Sequence, residues 1–300
     1  MATSTADDLS AASYETGSSQ FAGEPIRVAR ILVPLDGSPF AERALPVARW
    51  AAAQLGADMH VVEVAPGDDE ADGAVRYLGS VTRRNHAASW DVLQQDDVGA
   101  ALAQAVASHP GVMACMATHG SDRSAGLLGS VAASLLGRSD RPVLLTGPGA
   151  RAVTADEAPV VVAVDGTPQD ELLIPVALSW AAKLARRLEI VTVVESAPAW
   201  RRGGWPPEPS GPAKPEEYLD SLVARAAGNG VAVVSQVVHD PVSVREGLVS
   251  LLDRTAALVV LGSRHRPSEA QPVLGTHAAR IVHDLSIPAL AVPVPVTPAG

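Results

Sequence analysis

The chain has 300 residues, of which 47% are hydrophobic and 19% charged, and its formal net charge is −10. This length suits about two domains of ordinary size, and the composition is typical of chains that fold around packed cores. The negative charge argues against a nucleic-acid partner, because neutralising phosphates requires clustered Lys and Arg. The single cysteine, Cys115, excludes an intramolecular disulfide and a thiolate metal cluster and favours a reducing compartment.

The N-terminal residues 1–25 are acidic, rich in Ser and Thr, and without the apolar stretch of a signal peptide. We expect them to form a disordered tail. No apolar run in the sequence reaches the roughly 18 residues that a membrane helix needs. These features predict a soluble, cytoplasmic protein that has no membrane partner.

In chain order, short apolar runs predict buried strands, and apolar residues three or four apart predict helices. The strands predicted in the first part are 30–35, 60–64, 89–94, 112–118 and 142–146. A helix is predicted after Ser38, which stands as its N-cap before Pro39, and two more are predicted at 98–108 and 130–136.

The second part shows the same alternation of strands and helices. Its predicted strands are 160–164, 189–194, 231–238, 257–261 and 289–294, and its predicted helices are 169–187, 242–253 and 276–283. The segment 197–215 is rich in Pro and Gly and predicts an exposed excursion. Alternating strands and helices predict an α/β fold with a mostly parallel sheet.

The chain also repeats itself at the level of sequence. Residues 30–66 align with 159–198, where Asp36-Gly37 matches Asp165-Gly166, and residues 129–146 align with 275–292. The period exceeds a hundred residues, which is too long for a solenoid and indicates two copies of one domain. We therefore predict a first domain at 26–149, a linker at 150–158 and a second domain at 159–296.

Polar and glycine residues follow the first and fourth strands of each copy. These ends are 36–38 and 118–120 in the first copy and 165–167 and 262–264 in the second. In open parallel sheets, ligands bind beyond the carboxyl ends of strands at the point where the strand order reverses. Glycine loops that lead into helices also bring bare backbone N–H groups near a phosphate. If the first and fourth strands are neighbours, the two loops face each other across a cleft suited to adenine and phosphate.

Several motifs together resemble those of the universal stress protein family. They are ILVPLDGSPFAERAL at 31–45, MATHG at 116–120, LLGSV at 127–131 and PVLL at 142–145, with weaker copies later in the chain. The resemblance covers residues from about 27 to 295. It implies two tandem doubly wound five-stranded parallel sheets, each in the adenine nucleotide alpha-hydrolase-like order 3-2-1-4-5. It also implies ATP, with or without Mg²⁺, between strands one and four, pairing of the halves through their fifth strands, and association into a homodimer.

The resemblance further implies which residues contact the nucleotide. In the first copy, Asp36 and the main chain near Val64 would meet the nucleoside. The phosphates would be held by Thr118, His119, Gly120, Gly129, Ser130 and Val131. The corresponding residues of the second copy are Asp165, Val194, Gly262, Ser263, Arg264, Gly275, Thr276 and His277.

Both copies depart from the family pattern, which is G-x-x-G, nine residues, and then G-S/T. The first copy has Ala117 in place of the first Gly and only eight intervening residues, and the second copy has His265 in place of the second Gly. The same residues also have purely structural interpretations. The two aspartates suit the strand-to-helix turn, the glycines suit turns, and Ser130 and Thr276 suit helix caps.

Three functions stay open at this point. The first is a nucleotide-binding sensor or regulator of the stress response that passes its occupancy to protein partners. The second is a degenerate domain pair that no longer binds nucleotide and acts as an interaction scaffold. The third is an ATP-hydrolysing enzyme. We expect no enzyme, because the sequence has no G-K-S/T loop, no kinase signature, no G-x-S-x-G elbow and no metal-ligand cluster.

Overall fold

The computed structural model describes residues 26–119, 128–151, 158–167, 169–195, 214–240, 243–264, 274 and 276–294. The expectations for the tail 1–25, for most of the segment 197–215, and for Gly120, His265 and Gly275 lie outside the described residues.

The first half alternates strands with helices along the chain. Its strands are β1 (Arg30–Pro34), β2 (Asp58–Val64), β3 (Ser89–Leu93), β4 (Val112–Ala117) and β5 (Val143–Thr146). Its helices are α1 (Ala44–Leu55), which follows a short 3-10 helix at Ala41–Arg43, and α2 (Asp68–Asn85), α3 (Val98–Ala107) and α4 (Ser130–Arg138).

The second half repeats this order. Its strands are β6 (Val160–Ala163), β7 (Leu188–Glu195), β8 (Val233–Asp240), β9 (Leu258–Arg264) and β10 (Ala289–Val294). Its helices are α5 (Asp170–Lys183), α6 (Pro215–Ala226), α7 (Val244–Thr255) and α8 (Thr276–Asp284). None of the described helices is both long and apolar enough to cross a membrane.

The ten strands form one continuous sheet in the order β3-β2-β1-β4-β5-β10-β9-β6-β7-β8. Each half has the order 3-2-1-4-5 with parallel neighbours, so the predicted fold class is confirmed. The two five-stranded sheets are joined by antiparallel pairing of β5 with β10, in which Leu144 lies opposite Leu290. Because that pair is antiparallel, the carboxyl ends of the strands point to opposite edges of the sheet in the two halves.

Helices cover both faces of the sheet, as a parallel sheet with two buried faces requires. On one face, α1 and α5 bury a core that includes Ile31, Leu144 and Leu290. On the other face, α3, α4, α7 and α8 bury a second core that includes Leu102 and Leu145. Each core contains residues of both halves, so the halves share their hydrophobic packing.

Candidate functional site

A cavity of about 260 Å³ lies at the carboxyl ends of β1 and β4 in the first half. β1 pairs with β2 on one side and β4 on the other, so this is the point where the strand order reverses. The described residues that line the cavity are Pro34, Leu35, Asp36, Ala41, Val64, Val98, Leu102, Met116, Ala117, Thr118, His119, Gly129, Ser130, Val131 and Ala132. The structure therefore brings together all the predicted first-copy residues that it describes.

The turn after β1 fixes one wall of the cavity. Asp36 Oδ1 accepts a hydrogen bond of 3.0 Å from the N–H of Ser38, and Ser38 Oγ accepts one of 3.1 Å from the N–H of Ala41. Gly37 has φ +76°, a left-handed conformation that favours glycine. Asp36 thus stabilises the strand-to-helix turn and also lines the cavity, so its structural and functional interpretations are compatible.

The loop after β4 forms the opposite wall. Thr118 is 1% exposed, and its Oγ1 lies 3.1 Å from Nδ1 of His119. The N–H of Gly129 donates a 2.7 Å hydrogen bond to the carbonyl of Thr118. A Cβ at position 129 would lie 3.1 Å from that same carbonyl oxygen, which is closer than most Cβ contacts, so a side chain here would require the backbone to move by a few tenths of an ångström.

The N-terminus of α4 faces the cavity. The first N–H groups of an α-helix have no partner within the helix and carry the positive end of its dipole. Here these are the N–H groups of Ser130, Val131 and Ala132, and all three residues line the cavity. The predicted capping role of Ser130 is wrong. Gly129 is the N-cap residue, and because Ser130 is already helical, its side chain makes no cap hydrogen bond.

The acidic side chains described at the cavity wall and beside it are not balanced by basic ones in the described lining. Its described lining residues include Asp36 but no Lys or Arg. Burial, followed by the nearby Asp36 carboxylate, raises the pKa of the Glu63 carboxyl. An anionic ligand in this cavity would therefore depend on backbone N–H groups, on the helix dipole, or on a cation that it brings along. Within the described parts of the chain, no three His, Cys, Asp or Glu side chains are grouped to hold a metal ion.

Eight of the described lining residues were not among the predicted site residues, and three of these are larger apolar side chains on α3 and β4. Val98 and Leu102 project from α3, and Met116 projects from β4. Their apolar side chains form the floor of the cavity. The i, i+4 spacing of Val98 and Leu102 marks the buried face of α3, but nothing in the sequence shows which part of that face lines a cavity.

The second half places its predicted residues at equivalent points of the fold. Asp165 Oδ1 accepts a 3.1 Å hydrogen bond from the N–H of Thr167, as in the turn of the first half. Ser263 is 1% exposed, and its Oγ has no hydrogen-bond partner among the described residues. The backbones of Gly262 and Arg264 pair with β10, and Val194 lies near the end of β7. For Thr276 and His277, the structure describes only the helical backbone at the start of α8.

The fold and the site define a class of α/β protein. Its members have a doubly wound parallel sheet with a ligand cleft at the switch point, and here the sheet is present twice in one chain. Residues 158–293 match the sequence model of the universal stress protein family. The second half is therefore a universal stress protein domain by sequence, and the first half repeats its strand order.

Solved structures support the fold over both halves. The chain is similar to a universal stress protein from Archaeoglobus fulgidus DSM 4304, with a TM-score of 0.67 and 17% identity, over 90% of this chain and 97% of that chain. It is also similar to a candidate universal stress protein from Pseudomonas aeruginosa UCBPP-PA14, with a TM-score of 0.56 and 15% identity, over 89% and 93% of the two chains.

Proposed function

We propose that the first half binds an adenine nucleotide in the cavity between β1 and β4, and that the protein is a nucleotide-responsive regulator. The observation that carries this proposal is the convergence of three elements on one cavity at the switch point. These elements are the turn at Asp36, the loop after β4 at Thr118 and His119, and the N-terminus of α4. The family match of the second half agrees with a role in the stress response.

The size of the cavity indicates how such a ligand would lie. At about 260 Å³ it is just below the range of about 300–1,000 Å³ typical of small-molecule pockets. We therefore expect it to hold the nucleoside alone, with Asp36 and the main chain at Val64 on one side and the apolar side chains of α3 and β4 on the other. The phosphates would extend over the N–H groups of Ser130 and Val131, where the dipole of α4 favours negative charge.

We extend the same assignment to the second half, at Asp165, Val194, 262–264 and 275–277. We also propose that the domains span 26–149 and 159–296. ATP is the nucleotide we expect, and because the described lining includes Asp36 but no Lys or Arg, we expect it to bind together with Mg²⁺.

A second function is favoured by one specific observation. The N–H of Gly129 is already bonded to the carbonyl of Thr118, so one backbone donor of the loop is not available to a phosphate. A scaffold that has lost its nucleotide and binds protein partners through its surface would keep such a closed loop. The two functions differ in whether the purified protein contains or binds nucleotide.

The test begins with denaturing freshly purified protein and measuring the released nucleotide by chromatography. Calorimetric titration with ATP, ADP and AMP then compares wild type with two variants. Gly129→Val places a side chain against the Thr118 carbonyl, and we expect it to weaken binding at least about tenfold. Gly67→Val is the matched control. Gly67 is also an extended N-cap glycine, but a Cβ there meets nothing within 4 Å, and it does not line the cavity.

Each outcome decides between the functions. Nucleotide bound by wild type and by Gly67→Val, but not by Gly129→Val, supports the regulator. A wild-type protein that releases no nucleotide and binds none of the three would overturn it in favour of the scaffold. Phosphate release above a buffer control that is lost in Asp36→Ala would instead support the third function, an ATP-hydrolysing enzyme.

A further inference from the structure

The last turn of α8, in the second half, packs against the cavity-bearing edge of the first half. Because β10 runs antiparallel to β5, α8 ends where the strands of the first half have their carboxyl ends. The N–H of Arg151 donates a 2.9 Å hydrogen bond to the carbonyl of Ser286, just beyond α8. A Cβ on Gly147 would overlap the carbonyl oxygen of Val282. The loop after β5 therefore lies directly on the end of α8.

At this junction an aromatic contact joins the two halves. The rings of His119 and His283 have their centroids 5.6 Å apart and an interplanar angle of 74°. This is an edge-to-face arrangement, one of the two geometries that aromatic pairs prefer. His119 lines the cavity and His283 does not, so the His119 ring connects His283 to the cavity.

The His283 ring carries an unsatisfied polar atom. Its Nδ1 is buried and has no hydrogen-bond partner among the described residues. Leaving a buried polar atom unpaired is unfavourable, so its presence in a folded protein calls for an explanation. Because this nitrogen makes no hydrogen bond to a described residue, what the His283 ring provides at this junction is its contact with the His119 ring.

The helix α4 provides no equivalent of this contact at the other edge of the sheet. In the alignment of 129–146 with 275–292, His283 corresponds to Gly137, which has no side chain. The helix α4 therefore offers no ring to the second half. His283 is an addition to the repeated fold rather than part of its common packing.

We propose that His283 is a positioning residue for the nucleotide site of the first half, because its ring holds the His119 ring in place against the cavity wall. The inference rests on the proposed function, since it concerns the affinity of that same site. It means that the second half completes the site of the first, and that nucleotide bound in the first half depends on how α8 is packed.

The experiment is a double-mutant cycle on the full chain, with ATP affinity measured by calorimetry. The first-half site is identified as the binding event that Gly129→Val removes. We expect His283→Ala to weaken that event by about threefold to tenfold, the range that an aromatic pair supports. We expect His283→Phe, which keeps a ring edge without the unpaired nitrogen, to bind nearly as wild type does.

The second arm of the cycle uses His119→Ala, which removes the ring through which His283 acts. In that background, His283→Ala should produce no further loss, because the two substitutions remove the same interaction. The matched control is His109→Ala, an exposed histidine before β4 at the opposite edge of the first half. Thermal melting of each nucleotide-free variant reports whether it folds.

Three results would overturn the inference. One is unchanged affinity in His283→Ala, and another is an equal loss in the presence and absence of the His119 ring. The third is a loss in His283→Phe as large as that in His283→Ala, since this would assign the effect to the nitrogen and not to ring position. In all three cases wild type still binds ATP, so the proposed function stands. A wild-type protein that binds no nucleotide overturns the proposed function itself, and the inference with it.

Discussion

Replacing Gly147 with alanine should destabilise the joint between the halves. A Cβ at this position would meet the carbonyl oxygen of Val282 well inside 3.0 Å, a separation that real Cβ contacts essentially never fall below. It would also lie 3.2 Å from the carbonyl oxygen of His283 and 3.4 Å from that of Leu285. All three neighbours are backbone atoms, so neither a side-chain rotation nor a small adjustment relieves the overlap.

The magnitude follows from what must move. Either the loop after β5 or the end of α8 has to shift by the order of 1 Å, and overpacking of this kind typically lowers the free energy of unfolding by about 1–3 kcal/mol. Because the obstacle is backbone, we expect a value near the upper end, about 3 kcal/mol.

The assay is equilibrium unfolding in urea followed by circular dichroism, comparing midpoints and slopes. Gly149→Ala is the matched control, since a Cβ there lies 3.7 Å from its nearest neighbour, the carbonyl oxygen of Leu285. It should be neutral or slightly stabilising, because alanine restricts the unfolded chain. If Gly147→Ala is as stable as Gly149→Ala, the close packing of the loop on α8 is refuted.

Two further predictions concern capping and pH. Ser243 Oγ accepts a 3.1 Å hydrogen bond from the N–H of Glu246 and so caps α7. Ser243→Ala should therefore lower the free energy of urea unfolding by about 1 kcal/mol. Ser130→Ala, which removes no cap bond, should leave that free energy unchanged. Burial in the folded protein raises the pKa of the Glu63 carboxyl above its usual value. The stability that this carboxyl contributes is therefore present in acid and is lost as the pH rises through the raised pKa. Glu63→Gln should therefore be more stable than wild type at about pH 7, and urea midpoints should converge at about pH 4. A constant difference across that range would contradict the role of Glu63.

The strands could be predicted from the sequence because buried parallel strands have a simple sequence pattern. Buried parallel strands appear as short runs of branched apolar residues, and the ranges predicted for β1, β4 and β10 differ from those in the structure by at most one residue. The same reasoning did not predict α2. Only Ala74, Leu78 and Val81 of its 18 residues are buried, so its apolar face is too narrow to stand out from its polar surroundings. The corresponding helix of the second half, α6, was not predicted either, and it begins at the end of the Pro/Gly-rich segment.

The sequence could predict which residues line the site, but not where α4 begins or which residues of the other half contact the site. Asp36, Thr118 and Gly129 follow from motif and topology together. In the structure the Gly129 N–H donates a hydrogen bond to the Thr118 carbonyl and α4 begins at the next residue, so Ser130 lies inside the helix. A Gly-Ser pair before an apolar pattern does not show whether the glycine or the serine is the N-cap residue. The contact between His119 and His283 joins residues that are far apart in sequence, and only the folded chain brings them together.

The joining of the two sheets limits how the halves can communicate. Because β5 and β10 are antiparallel, the two candidate nucleotide sites lie at opposite edges of the sheet and do not share a ligand. A structural element can couple the two sites when it extends from one edge of the sheet to the other. The helix α8 begins at Thr276, in the candidate site of the second half, and its last turn places His283 on His119 in the first. At the equivalent point α4 has Gly137, so α4 provides no such ring contact to the second half. If both sites bind nucleotide, we expect them to differ in affinity, and a coupling carried by α8 would act by the same factor in both directions.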